Sequence, residues 1–248
     1  MPVAEASIAE EHAWCAGVLA APLAAPRWRV WRYRAPEIVL GCAQRALHEA
    51  AMRRAPRGVA VTVRPSGGGA VLAGPWMVGV TVVLPPGHAL LGEGLVDSYR
   101  WLGELHAGVL AQAGIAARAL DPRVQRPAPD AAGATGAAHA ATAAGVRWAC
   151  FGALSPWEVV AADGRKLTGL SQQRKRAGVA YSAGTLVARP DWRLLCEALG
   201  EPADAARLHA LTAACEETPA AAGLDAAAWA ERLDTALAAR LDDGGPET

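Results

Sequence analysis

The sequence predicts an α+β domain, in which helices pack on a central mixed, mainly antiparallel sheet. Three observations carry that expectation. Candidate strands and helices interleave without the regular βαβ alternation that builds a parallel sheet. Several neighbouring strands are hairpin-linked, and Asp163-Gly164 is the plainest two-residue turn signal among them. The 248 residues are 52% hydrophobic and 19% charged, which suits one sizeable core.

The elements follow in order. Ser7-Ile8-Ala9-Glu10 has the capping-box pattern and opens a helix over about 6–20, which Pro22 and Pro26 end. Trp28–Tyr33 and Glu37–Leu40 are aromatic or β-branched and predict strands, and 44–54 predicts a helix. Val59, Val61 and Val63 alternate as one buried strand face does, and run into Arg64-Pro65-Ser66-Gly67-Gly68-Gly69-Ala70-Val71. Val78–Leu84 is a further strand, closed by Pro85-Pro86-Gly87. A helix over 96–113 is expected to be capped by Asp97 or Ser98 and stopped by Gly114. Residues 121–146 hold almost no large apolar side chain and predict a flexible Ala/Gly loop, in which Asp130 and His139 are solvated.

From Cys150 to Leu186 the pattern is strand (Trp157–Val160), turn, strand (beginning Lys166-Leu167), a small polar loop over 169–173, and strand (Gly178–Leu186). Helices are expected over 191–199, 203–216 and 225–241, then a frayed tail over 242–248. Residues 1–190 thus make the main domain, with the helices of 191–241 packed on it.

Bulk properties exclude several classes. Acidic and basic residues balance at 24 each, so nothing draws the chain to nucleic acid or anionic membrane. No apolar run approaches the roughly 18 residues of a membrane span. The N-terminus lacks the basic-then-apolar pattern of a secretory signal, and a cytoplasmic location is expected. Five scattered cysteines without a C-x-x-C pair fit reduced thiols, with no metal site.

Two segments are not explained by packing. Three glycines after a strand let the backbone approach a ligand and turn its amides toward an anion. Lys166, one of two lysines against 22 arginines, stands beside a hairpin turn. Together, R-P-S-G-G-G-A-V and G-R-K-L-T-G-L-S-Q-Q-R resemble the signatures of the lipoate–protein ligase, octanoyltransferase and biotin–protein ligase superfamily. V-L-G-C-A-Q at 39–44, V-D-S-Y-R-W-L-G at 96–103 and A-G-T-L at 183–186 are similar to further family segments.

The resemblance implies a sheet of the class II aminoacyl-tRNA synthetase and biotin ligase type, with an acyl tunnel beside the glycine loop. It implies attachment of lipoate or octanoate to one lysine of a lipoyl domain. The domain would belong to a 2-oxoacid dehydrogenase complex or the glycine cleavage H protein. Arg64, Ser66, Gly67, Gly68, Gly69 and Ala70 match the loop lining the acyl or adenylate site; Gly169, Ser171 and Gln172 fall in the second motif. Lys166 matches the lysine that contacts the activated carboxyl group, where a fixed ammonium stabilises developing negative charge. Its replacement by alanine is expected to abolish transfer without unfolding the chain.

Two routes stay open. A ligase uses ATP, with Mg²⁺, to make an acyl-adenylate. A transferase takes the acyl group from acyl carrier protein or another lipoyl domain onto a cysteine, for which Cys150 in C-F-G-A-L-S-P-W-E-V is the candidate. No tightly bound cofactor is expected. Leu72-Ala73-Gly74-Pro75-Trp76-Met77-Val78 stands where ligases carry x-H-D-x-G-N, and Ala183 replaces the histidine of H-G-T-L. That departure keeps open a catalytically degenerate member that only binds lipoate or lipoyl domains. The G-R-G-R-x-G-R-x-W signature of biotin–protein ligase does not occur. Trp76 and Trp157 are expected against the acyl chain, and Arg174-Lys175-Arg176 against an acidic partner.

Overall fold

In the computed structural model, which describes residues 3–124, 145–221 and 224–242, the chain forms two sheets. Asp130, His139, most of the expected 121–146 loop and the 243–248 tail lie outside the described residues. The first half contains β1 (Ala4–Ala6), α1 (Ile8–Val18), β2 (Arg27–Tyr33), β3 (Glu37–Leu40), α2 (His48–Arg54), β4 (Ala60–Val63), β5 (Val71–Ala73), β6 (Met77–Leu84) and α3 (Arg100–Gln112). Then come β7 (Ala117–Ala119), β8 (Val159–Ala161), β9 (Lys166–Lys175), β10 (Gly178–Leu186), α4 (Trp192–Leu199), α5 (Ala205–Leu211) and α6 (Ala226–Asp242).

The large sheet has the order β1-β2-β6-β10-β9-β8-β7 and is antiparallel except for β1 on β2. A small sheet, β4-β3-β5, mixes one parallel and one antiparallel pair. The mixed, mainly antiparallel α+β architecture is as the turn pattern predicts.

Strand β6 shows how the layers are assigned. Its alternate residues Val78, Val80, Val82 and Leu84 enter one core, together with Leu102, Val109 and Leu110 of α3 and Trp229, Leu233 and Leu237 of α6. Met77 faces the other core, with Trp31, Tyr33 and the small sheet's Ile38, Leu40 and Leu72. Helix α1, started by the expected capping box (Glu10 N to Ser7 Oγ 3.2 Å, Ser7 N to Glu10 Oε2 2.7 Å), packs on this second side.

On that face three glycines fall in register across neighbouring strands: Gly79 of β6 beside Gly184 of β10, beside Gly169 of β9. A Cβ on Gly79 would stand 2.0 Å from the Tyr33 hydroxyl, and one on Gly184 2.9 Å from Met77 Sδ. One on Gly169 would stand 3.4 Å from both Cys150 Sγ and Lys166 Cε. Side chains from neighbouring positions lie over the sheet where these glycines have none.

Several boundaries differ from expectation. The polar stretch 169–173 is no loop: β9 runs unbroken because β10 pairs with it along that whole stretch, and pairing overrides the poor β-propensity of Gly, Ser and Gln. The strand expected at Trp157 begins at Val159, because Trp157 takes a left-handed φ of 67°. The expected 203–216 helix stops at Leu211. There Thr212 bridges to Lys166, and the Ala213 amide donates to the Lys166 carbonyl at 3.0 Å. Neither Asp97 nor Ser98 caps α3; both lie in a 3₁₀ turn ahead of it.

Two glycine substitutions check this packing. A Cβ on Gly103 of α3 would meet the Trp157 carbonyl oxygen at 2.1 Å, so Gly103→Ala should cost about 1–3 kcal/mol by overpacking. Gly17 of α1 has open space, and Gly17→Ala should gain about 0.5–1 kcal/mol through helix propensity. Opposite shifts in thermal midpoint are expected; equal shifts would refute the α3–Trp157 contact.

Candidate functional site

The glycine loop is held from three sides. Arg64 is buried, and its guanidinium donates to the carbonyls of Gly67 (3.2 and 2.9 Å) and Gly69 (2.9 Å), so the loop curls round its own arginine. Gly41 lies so close that a Cβ there would stand 1.9 Å from the Gly68 oxygen, and the Cys42 amide donates to the Ser66 carbonyl at 3.0 Å. Gln44 then accepts from the Gly41 amide (3.1 Å) and donates to the Trp148 carbonyl (2.9 Å). This gives the V-L-G-C-A-Q segment a physical meaning: glycine for close approach, glutamine to tie the loop to the 148–150 stretch.

On the third side, Ala70 and Cys150 join through the backbone. The Ala70 amide donates to the Trp148 carbonyl and the Cys150 amide to the Ala70 carbonyl, each at 2.8 Å. Two motifs about eighty residues apart therefore abut.

Two cavities meet here. The first, about 230 Å³, runs between α1 and the small-residue face of β9 and β10, where Gly169, Ser171, Ser182 and Gly184 leave space unfilled. Val39, Val71, Ala73, Met77 and Phe151 give it an apolar section. The second, about 760 Å³, is bordered by Gly67, Gly68 and Gly69, by Arg147 and Arg165, and by the 149–155 turn. Arg64, Cys150, Phe151 and Leu170 line both.

Lys166 stands behind this junction with 1% of its side chain exposed. Its Nζ donates to the carbonyls of Cys150 (2.6 Å) and Ala153 (3.0 Å) and pairs with Glu158 Oε2 at 2.7 Å, so the three ammonium hydrogens have three acceptors. Glu158, 2% exposed, was not among the residues singled out from sequence. The signal that could have found it is the need of a buried ammonium for a counter-charge nearby, with Glu158 the carboxylate directly across the hairpin. The pair also revises one expectation: Lys166→Ala leaves Glu158 buried and unpaired, at a cost of about 3–5 kcal/mol, so the fold does not go untouched.

The other expected residues divide. Ser66, Ser171 and Gln172 line the first cavity, although Gln172 Nε2 is engaged by the Leu95 carbonyl (3.1 Å) and Ser98 Oγ (3.2 Å). Ala70 is buried between its two backbone partners. Trp76 and Trp157, expected against an acyl chain, line neither cavity; Trp157 instead lies under Arg100 and Arg123, 5.6 and 5.4 Å from its ring centre. Arg174, Lys175 and Arg176 are exposed at the β9–β10 turn. At ~3.3 Å per residue along β9, that turn is roughly 30 Å from Lys166.

Along the first cavity, burial dominates the electrostatics. Glu11 accepts from Tyr33 Oη (2.8 Å) and Thr81 Oγ1 (2.7 Å), yet desolvation raises its pKa above the usual carboxylate value. Burial pushes the Cys15 thiol up to about 11, with Glu11 adding to the shift, and lowers the His12 pKa, with Arg64 adding to it. Among the described residues no group of three or more His, Cys, Asp and Glu could hold a metal ion, and no helix is long and apolar enough to cross a membrane.

The family profile described as the lipoyl protein ligase A/B catalytic domain matches residues 11–210. No curated protein matches the chain. Among solved structures, it is similar to a bipartite lipoate protein ligase of Thermoplasma acidophilum, described with its E2 lipoyl domain. The TM-score is 0.63 and the identity 15%, over 97% of this chain and 82% of that one. A lipoate-protein ligase A bound with ATP gives TM-score 0.56 and 15% identity over 88% and 73%. The lipoate complex of P. falciparum LipL1 gives 0.52 and 14% over 91% of this chain and 50% of that one. At such identities the likeness is one of fold.

The raised Glu11 pKa has a measurable sign. A carboxyl whose folded value exceeds its unfolded value contributes stability that is full below the unfolded value and lost as pH rises through the folded one. Glu11→Gln stays neutral throughout, so its thermal stability relative to the parent should rise as the pH is raised from about 5 into the alkaline range. A difference that stays constant across that range would refute the shift.

Proposed function

The chain belongs to the lipoyl protein ligase A/B catalytic domain family, an enzyme family of the ligase and transferase type, and from that membership we propose how its site works. It attaches a lipoyl or octanoyl group to a specific lysine of a lipoyl domain in the cytoplasm. The observation that carries this reading is the junction of the two cavities at Cys150, with Lys166 directly behind it. The narrow, partly apolar cavity takes the acyl chain. The larger one, with its arginines and glycine loop, admits the donor and then the acceptor lysine. The T. acidophilum ligase described with its E2 lipoyl domain supports a lipoyl domain as acceptor. The glycine cleavage H protein is a further candidate of the same kind.

Between the two routes, Cys150 favours the transferase. In that route the Cys150 thiolate attacks the carbonyl carbon of an octanoyl or lipoyl thioester. The carbon–sulfur bond to the donor breaks, and the donor thiolate leaves with the electron pair. The acyl-cysteine is then attacked by the neutral lysine amine of the acceptor, whose proton passes to solvent as Cys150 is released. In both steps negative charge grows on the carbonyl oxygen, where Lys166 can exchange a loop carbonyl for it.

The ligase route has its own support. Gly67–Gly69 amides with Arg64 and Arg147 suit an anionic donor such as an acyl-adenylate, and a lipoate-protein ligase A binds ATP. Against a Mg²⁺-bridged nucleotide stand the two carboxylates lining that cavity. Glu158 is already paired to Lys166, and Asp163 to Arg165 at 2.7 Å.

Intact mass separates these readings. The protein is incubated with apo lipoyl domain and either octanoyl carrier protein, or octanoate with ATP and Mg²⁺. Transfer from the carrier protein without ATP is expected, with a transient octanoyl adduct on the enzyme that Cys150→Ser abolishes. Transfer that requires ATP and survives Cys150→Ser would replace this route by the ligase one. No mass gain with either donor would leave a lipoyl-domain binder.

A further inference from the structure

We propose that Glu158 is a positioning residue for acyl transfer: its carboxylate holds the Lys166 ammonium at the cavity junction and braces the two wall segments beside it. The inference rests on the acyl-transfer role of Lys166. Besides pairing with Lys166 at 2.7 Å, Glu158 accepts from the Ser155 amide at 2.7 Å and from the Leu170 amide at 3.3 Å. Ser155 follows the Cys150 turn and lines the larger cavity, while Leu170 of β9 lines both. One buried carboxylate therefore sets the lysine, the turn that carries Cys150 and the strand that carries Gly169.

The chain around Glu158 is bent to aim it. Trp157, immediately before, holds a φ of 67°, which a bulky residue adopts only under constraint from its surroundings. That constraint is visible. Its amide donates to the Leu120 carbonyl at 2.7 Å, its carbonyl packs on Gly103 where no Cβ intrudes, and its ring lies beneath Arg100 and Arg123. Just after Glu158, the pairing of β8 with β9 slips register between Val159 and Val160. A left-handed residue and a bulge together re-aim side chains at the end of a strand. A buried ion pair is weak as a stabilising device, since apolar residues of similar shape often serve as well. Its presence at this position is explained by chemistry that needs a charged, fixed ammonium.

With all three hydrogens of Lys166 occupied, an acyl oxygen arriving at Cys150 is met by exchange. The ion-paired bond to Glu158 is the strongest of the three, so one of the neutral carbonyl bonds, to Cys150 or Ala153, is the one given up. Glu158 is then the anchor about which Nζ turns.

The chain contains only two lysines, buried Lys166 and exposed Lys175, which makes the test direct. The full chain and its Glu158→Gln and Glu158→Asp variants are labelled with an amine-acylating reagent at neutral pH, and the two lysine peptides compared by mass. In the parent, Lys166 should label at least about tenfold more slowly than Lys175. In Glu158→Gln most of that protection should vanish, because a buried ammonium without counter-charge is relieved by losing its proton or swinging out. Transfer of octanoate to apo lipoyl domain, with the donors named above, should fall about a hundredfold in kcat with KM for the donor little changed. Glu158→Asp should recover part of both.

Unchanged Lys166 protection in folded Glu158→Gln would overturn the proposal. So would a loss of transfer that only tracks the unfolded fraction seen in thermal unfolding. If the parent transfers from neither donor, the acyl-transfer reading fails, and the labelling comparison still decides whether Glu158 holds Lys166.

Discussion

A primary ammonium taken out of water must find three acceptors and a counter-charge, and in this protein the 150–153 turn and Glu158 together meet that requirement. Lys166 opens β9, and its partners come from the Cys150 turn, from Ala153 and from Glu158. Its own backbone is clamped by the 212–213 segment after α5. The glycine loop joins the same knot through Ala70 and Cys150. Displacing any of these would leave a buried charge or a buried amide unpaired, a penalty larger than most single contacts provide. The junction of the two cavities is thus held by buried pairing, although it is built from turns.

Space for a ligand has a different origin. A sheet face covered by a helix normally fills with side chains to close packing. Here β6, β9 and β10 bring Gly79, Gly169 and Gly184 side by side, and Ser171 and Ser182 continue the small-residue face. Part of the vacated volume is taken by Tyr33, Met77, Cys150 and Lys166. The remainder is the narrow cavity under α1. A chain-shaped substrate fits such a trench because its width is set by missing Cβ atoms and its length by the strands. Among the polar groups that face it, Glu11 is hydrogen-bonded to Tyr33 and Thr81 and is shifted by burial toward its neutral form.

The departures from the ligase pattern gain a structural setting. Leu72 and Ala73 occupy β5 and Met77 begins β6, all packed in the second core, so the segment where ligases carry His, Asp and Asn is apolar wall in this chain. At the same time Cys150, which the motif comparison left ambiguous, is the thiol that borders both cavities. The apolar segment and the thiol at the junction are the two features on which the transferase route proposed above is built.

What the sequence by itself determined was everything local. The capping box of α1, the β-prone runs of β6 and β10 and the Asp163-Gly164 turn follow from chemistry within a few residues, and these are where prediction and structure agree. Arg64, the glycine loop, Cys150 and Lys166 were legible for the same reason, since each carries its own signature. The tertiary structure alone decided the rest. Gly169 and its polar neighbours form a strand only because β10 pairs with them residue by residue. Thr212 ends a helix that alanine content would prolong, because the Lys166 backbone offers it a bridge. Glu158 lies in the C-F-G-A-L-S-P-W-E-V stretch without any local mark of its role, and it became the partner of Lys166 through a strained Trp157 and a slipped register. In each case the deciding energy lies in a contact between segments, a burial or a pairing, that no window of sequence contains.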